Sequence, residues 1–191
     1  MIFAHAESCT QTPDTDSRHL SASHKKKPFR KVLTFALAAV MAASVAGSIA
    51  QPAQAASRSK TARARTAWNF LRSQGFSKKA TAGILGNMDQ ESGISATSRS
   101  GSCYGLIQWT GSRKSALRQY ARKQGTGTGN LKTQLKFMVY KDCSGLKRRM
   151  ARNDSSVAQA TRYFEVTYER AGIPAMSRRI SKANYWYKKF A

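Results

Sequence analysis

Histidine is missing where an enzyme would most need it. The chain has three, His5, His19 and His24, all within its first 24 residues. The rest of the sequence therefore cannot support Ser-His-Asp or Cys-His catalysis, and it has no imidazoles for a zinc set. Acids are also scarce: nine Asp and Glu stand against 33 Lys and Arg, a formal net charge of +24. Three cysteines, Cys9, Cys103 and Cys143, complete the short list of reactive groups. Glycines cluster only at 125–129, Gly-Thr-Gly-Thr-Gly, with no strand-helix pattern after them, so a nucleotide loop is discounted. Catalysis in such a chain falls to its few carboxylates.

Residues 25–31 are basic, 32–50 form an Ala-rich apolar run, and Ala-Gln-Ala follows at 53–55. Those are the three parts of a secretory signal. Residues 1–55 read as a leader with cleavage expected after Ala55, and no stable membrane span is expected once it is removed. Residues 56–63 are basic without apolar periodicity and read as a loose linker. The folded domain is expected over 64–191. Beyond position 55, 27 basic residues face six acids, a net charge of +21, and such a surface seeks polyanions.

Helical spacing dominates that domain. Ala64, Ala67, Trp68 and Leu71 fall at i, i+3, i+4 and i+7, with Gly75 as a stop. Ser77 is placed to cap a second helix, and a third starts near Ser112 with Leu117, Tyr120 and Ala121 inward. Asn130 caps a fourth carrying Leu131, Leu135 and Met138. Val157, Ala160, Phe164 and Tyr168 mark a fifth, ended by Gly172 and Pro174, and Met176, Ile180, Ala183 and Tyr187 a last one. The fold expected is mainly α, a compact domain of about six helices with one long loop or short hairpin over 94–111.

Within the second helix, Ile84, Leu85 and Met88 set an apolar register that Glu91 continues, three residues after Met88. Its carboxyl is expected at the edge of the apolar face, where partial desolvation favours the protonated form a general acid needs. Gly93 stops the helix beside the polar loop. Asp89, two residues earlier, points about 200° away and cannot flank the same bond. Glu165 and Glu169 share a helical face and are the candidates for a second carboxylate. An internal ion pair between Glu169 and an arginine is the competing reading. Asp142 and Asp154 read as surface or capping residues.

Glu-Ser-Gly at 91–93 followed by Tyr-Gly-Leu-Ile-Gln-Trp at 104–109 resembles the lysozyme-like superfamily of peptidoglycan hydrolases and lytic transglycosylases. Ala-Gly-Ile-Leu-Gly-Asn at 82–87, Gln-Trp-Thr-Gly-Ser-Arg at 108–113, Gln-Leu-Lys-Phe at 134–137, and Tyr-Phe-Glu and Tyr-Glu-Arg at 163–165 and 168–170 narrow the resemblance to the phage tail lysozyme family. The likeness runs over residues 62–188. It departs after Gly93, where Ile94, Ser95 and Ala96 replace the superfamily's usual aromatic, Asn and Pro.

The resemblance implies a lysozyme-like catalytic domain that cuts the β-1,4 bond between N-acetylmuramic acid and N-acetylglucosamine, with Glu91 as acid. Ser92, Tyr104, Gln108 and Trp109 would line the cleft, although Trp109 reads equally well as a core aromatic. Hydrolysis and anhydro-forming transglycosylation both remain open. The alternative is a noncatalytic cationic wall-binding protein. Expected partners are peptidoglycan strands and anionic wall polymers rather than nucleic acid, for a secreted or wall-associated monomer without metal or cofactor. In that oxidising location Cys103 and Cys143 read as a disulfide pair, closing a loop of about 40 residues worth about 3 to 4 kcal/mol in the chain-entropy model.

Overall fold

The computed structural model describes residues 51–172 and 174–191, with side chains from 59 onward. The leader's apolar run, its histidines and Cys9 lie outside the described residues. Among those described, seven α-helices and one small hairpin run in the order α1 (Gln51–Ser73), α2 (Lys78–Ser92), β1 (Arg99–Ser100), β2 (Cys103–Tyr104), α3 (Gly111–Lys123), α4 (Leu131–Phe137), α5 (Leu146–Ala151), α6 (Val157–Phe164) and α7 (Met176–Phe190). None of these helices is long and apolar enough to cross a membrane.

α2 is the axis of the domain. Every residue from Ala80 to Asp89 is buried, because α7 and α6 cover most of its surface and α1 closes against it. Two glycines permit that closeness: a Cβ on Gly83 would lie 2.8 Å from the backbone of Ala160 and Thr161, and one on Gly86 would lie 2.6 Å from Ala183 Cβ and Arg179 O. The helix starts at Ser77, whose hydroxyl accepts from Ala80 N at 3.0 Å. It ends at Gly93 in the left-handed conformation, φ 60°, with Ile94 N donating back to Met88 O at 3.3 Å.

The segment 56–63, expected to be loose, is helical as part of α1. Its basic residues supply the reason: Lys60 Nζ pairs with Asp89 Oδ1 at 2.6 Å, and Arg63 Nε donates to Ile94 O at 2.6 Å. Two charges that looked like a solvated tail instead hold the end of α2.

The hairpin is short. Arg99 pairs with Tyr104 and Ser100 with Cys103 in antiparallel register, and Tyr104 pairs again with Trp109 to close the 105–108 loop. Gln134 on α4, fully buried, staples this loop: its Oε1 accepts from Leu106 N at 2.9 Å while Nε2 donates to Ala96 O and Thr128 O. Gly105 has φ 81°, and its missing side chain leaves room for the Gln134 amide.

Two π-helical turns extend α4 and α6, over Met138–Asp142 and Glu165–Glu169. Each inserts one extra residue per turn and so rotates the residues beyond it, a device frequent at functional sites. The stripes expected on these two helices still point inward past Phe137 and Phe164, with Met138 and Tyr168 both buried. α7 is rotated: Arg179, Ala183 and Trp186 are buried, rather than the Met176, Ile180, Ala183 and Tyr187 stripe expected.

Candidate functional site

Glu91 lies one residue from the end of α2, with its side chain 11% exposed. Its neighbourhood is less apolar than its helical register implied. Arg179 Nη2 donates to Glu91 Oε1 at 2.5 Å, while Nη1 donates to Asn87 Oδ1 at 3.1 Å and Nε to Pro174 O at 2.6 Å. All three guanidinium nitrogens are thereby committed, and Asn87 is itself fixed by donation to Gly83 O and Thr161 O. The carboxylate is thus clamped from α7 through one oxygen. Among the described residues nothing donates to its Oε2.

Glu169, the candidate second carboxylate, comes to the same place. It is 8% exposed, and its Oε1 is buried without a hydrogen-bond partner. Burial, then the nearby charge of Glu91, pushes its carboxyl well above the ordinary range, although Arg179 and Arg113 oppose the rise. No ion pair forms on it among the described residues. Glu165 turns elsewhere: its Oε1 accepts from Ala171 N at 3.1 Å and closes the turn behind α6. Asp89 faces away as expected, bonded to Lys60 and to Trp186 Nε1.

The loop residues divide. The Ser92 hydroxyl lies within hydrogen-bond reach of Met88 O at 3.1 Å and Leu106 O at 2.9 Å and accepts from Ser95 N at 3.2 Å, tying the helix end to the hairpin loop. Tyr104 is buried with the Arg99 guanidinium 4.7 Å above its ring. Gln108 takes a left-handed backbone, φ 51°, donates from Nε2 to Gly105 O at 2.9 Å, and leaves its Oε1 buried without a partner. Ile94 shares that backbone conformation at φ 56°, a costly one for a β-branched residue.

Trp109 is not a cleft platform. It is 1% exposed, packs edge-on against Phe137 at 5.5 Å, and donates from Nε1 to Asp142 Oδ2 at 2.8 Å. Asp142, read from sequence as a surface residue, is the hub beneath the loop. Arg113 grips it with two bonds, Nε to Oδ1 at 3.0 Å and Nη2 to Oδ2 at 2.6 Å, and the Tyr168 hydroxyl donates to Oδ2 as well. Burial opposes the Arg113 charge, but Tyr168 and Asp142 more than offset it and raise its pKa.

Cys103 and Cys143 do not pair with each other. Cys143 is a free thiol at the end of the first π turn, where its Sγ accepts from Arg149 Nη2 at 2.6 Å. Burial raises its pKa, and Arg149 partly counteracts that.

Reading by sequence missed Arg179 altogether. The available signal was a charge in line with Ala183 and Trp186, at i−4 and i−7, on what is otherwise an apolar stripe.

The site therefore gathers Glu91, Arg179, Glu169 and the Gln108 loop around the C-terminal end of one buried helix. The model of the phage tail lysozyme family matches residues 62–190. The chain belongs to the phage tail lysozyme family. Morphogenesis protein 1 of Bacillus phage B103 is 27% identical over 144 residues, which cover 67% of this chain and 39% of that protein. The chain thus spans well under half of that relative's length. Membership in the phage tail lysozyme family agrees with the helical architecture and marks the domain as lysozyme-like.

Proposed function

We propose that this protein cleaves peptidoglycan at the β-1,4 bond between N-acetylmuramic acid and N-acetylglucosamine, with Glu91 as the general acid. The observation that carries the reading is the clamp at the end of α2: Oε1 of Glu91 is held by Arg179 at 2.5 Å while Oε2 has no donor among the described residues. A carboxyl with one oxygen anchored and the other available can deliver a proton to a glycosidic oxygen in a fixed direction and recover it later. Family membership supports cell-wall glycan as the substrate, and the charge of +21 beyond position 55 supports attachment to anionic wall polymers at a secreted location.

Ordinary glycoside hydrolysis uses a second, ionised carboxylate as base or nucleophile. Glu169 is poorly suited to that role, because burial and the charge of Glu91 favour its neutral form. Asp142 is committed to Arg113, Trp109 and Tyr168. A single working acid supports the route in which the sugar's own hydroxyl attacks the anomeric carbon and an anhydro end results. In that route Glu91 first donates its proton to the leaving oxygen and then, as carboxylate, accepts one from the attacking hydroxyl.

The test is a digest of purified peptidoglycan by wild type and Glu91→Gln, with the released sugars read by mass spectrometry. Anhydro-muramic ends from wild type alone are expected. Reducing muramic ends would instead establish a hydrolase and return attention to Glu169. Sedimentation with the wall and no cleavage by either protein would leave a cationic wall binder.

A further inference from the structure

A concave surface lies beside Asp142. α3 and the π turn after α4 enclose a groove of about 600 Å³, a size typical of ligand sites. Tyr120, partly buried, forms its floor and is backed by Phe137, whose ring lies 5.7 Å away. The amides of Gln119 and Gln124 and the ammonium groups of Lys123 and Lys141 stand exposed along the rim.

Charge in the groove is unbalanced, as it is over much of this basic surface. At one end Arg113 and Asp142 neutralise each other through their two hydrogen bonds. Lys123 and Lys141, on facing elements, have no acidic partner among the described residues. The surplus is two positive charges beside an aromatic ring and two amides. Sugar C–H faces pack on aromatic rings and hydroxyls bond to amides, while ammonium groups without an acidic partner can receive an anionic group.

We propose that this groove, whose lining does not include Glu91, is a binding site for an acidic carbohydrate: a polyhydroxylated unit carrying a carboxylate or a phosphate. The inference rests on the proposed action at the cell wall only for the source of that ligand. Occupancy would press on the Arg113–Asp142 pair, and through the Trp109–Asp142 bond it would brace the loop that carries Gln108.

The test uses the full chain bearing Glu91→Gln, so that no ligand is consumed, and follows the Tyr120 ring and the Gln119 and Gln124 side-chain amides by NMR. Three probes are compared: a muramic-acid disaccharide with its free carboxylate, a glycerol phosphate oligomer, and neutral diacetylchitobiose. Either acidic probe should shift these signals, the tighter one naming the source, and chitobiose should not. Lys123→Gln with Lys141→Gln should weaken binding by about tenfold or more, the scale of losing charge-assisted bonds. Ala116→Trp, which fills the groove and leaves every charge in place, should abolish the shifts. Absence of shifts with both acidic probes overturns the proposal, as does equal binding of chitobiose or binding that survives Ala116→Trp. Cleavage by Glu91→Gln equal to wild type would overturn the catalytic reading and leave the groove result standing.

Discussion

Arg179 Nη2 lies 2.5 Å from Glu91 Oε1 although 88 residues separate the two in sequence. The pair is nearly dry, with side chains 2% and 11% exposed. Removing one member of such a buried pair costs about 3 to 5 kcal/mol, because the other charge is stranded. Arg179→Met should therefore lower the urea midpoint sharply and stop cleavage. Arg179→Lys keeps the charge and loses the three-way fork. It should recover part of the stability while the cleavage rate stays at least about tenfold down, in keeping with a group that aims the acid.

Glu169 makes a signed prediction about pH. Its folded carboxyl sits well above its ordinary value of 4.5, so between that value and the folded one the native state holds a proton that the unfolded state has released. Stability should then fall as pH rises through this window, by at most about 1.4 kcal/mol per pH unit for one proton. Glu169→Gln should flatten the decline. Urea unfolding of both proteins from pH 4 to pH 9 checks it, and parallel curves would show that Glu169 ionises normally.

Glu91→Gln keeps an oxygen for Arg179 and removes the transferable proton. Its rate of glycan cleavage should fall by about a hundredfold or more, with far less change in melting temperature than Arg179→Met produces. A comparable loss of stability in the two variants would assign the pair a structural role.

Gly86→Ala would set a Cβ 2.6 Å from both Ala183 Cβ and Arg179 O. Neither atom can swing away, so α7 must back off from α2, at a cost of about 1 to 3 kcal/mol for an overpacked contact. The displacement carries Arg179 with it. Activity should fall more than the stability loss accounts for, which rates measured well below the melting temperature would reveal.

Asp142→Asn tests the hub under the loop. It removes the charge that Arg113, Trp109 and Tyr168 all address. The expected loss is about 2 to 5 kcal/mol for a buried charge left unpaired, with a change in near-ultraviolet dichroism as Trp109 loosens. Unchanged dichroism would mean that packing on Phe137 and the Tyr168 hydroxyl fix the indole without Asp142.

The ends of the elements were legible in the sequence because their causes are local. Ser77 and Asn130 bond to amides three residues onward, and Gly93 supplies a left-handed stop that few other residues adopt easily. The place of Glu91 at the end of α2 was legible for the same reason, since its stop, Gly93, lies two residues on. Tertiary structure alone decided what touches that acid. Arg179 and Glu169 reach it only after α6 and α7 close over the glycines of α2. Asp142 and Glu169 stand on the π turns that end α4 and α6, and their partners come from other elements. Lys60 and Arg63 became part of a helix through partners about 30 residues away, Trp109 became core, and Cys143 stayed a thiol beside Arg149. Caps and stops are settled between a side chain and its own backbone, whereas ion pairs and buried carboxyls depend on which helices exclude water from each other.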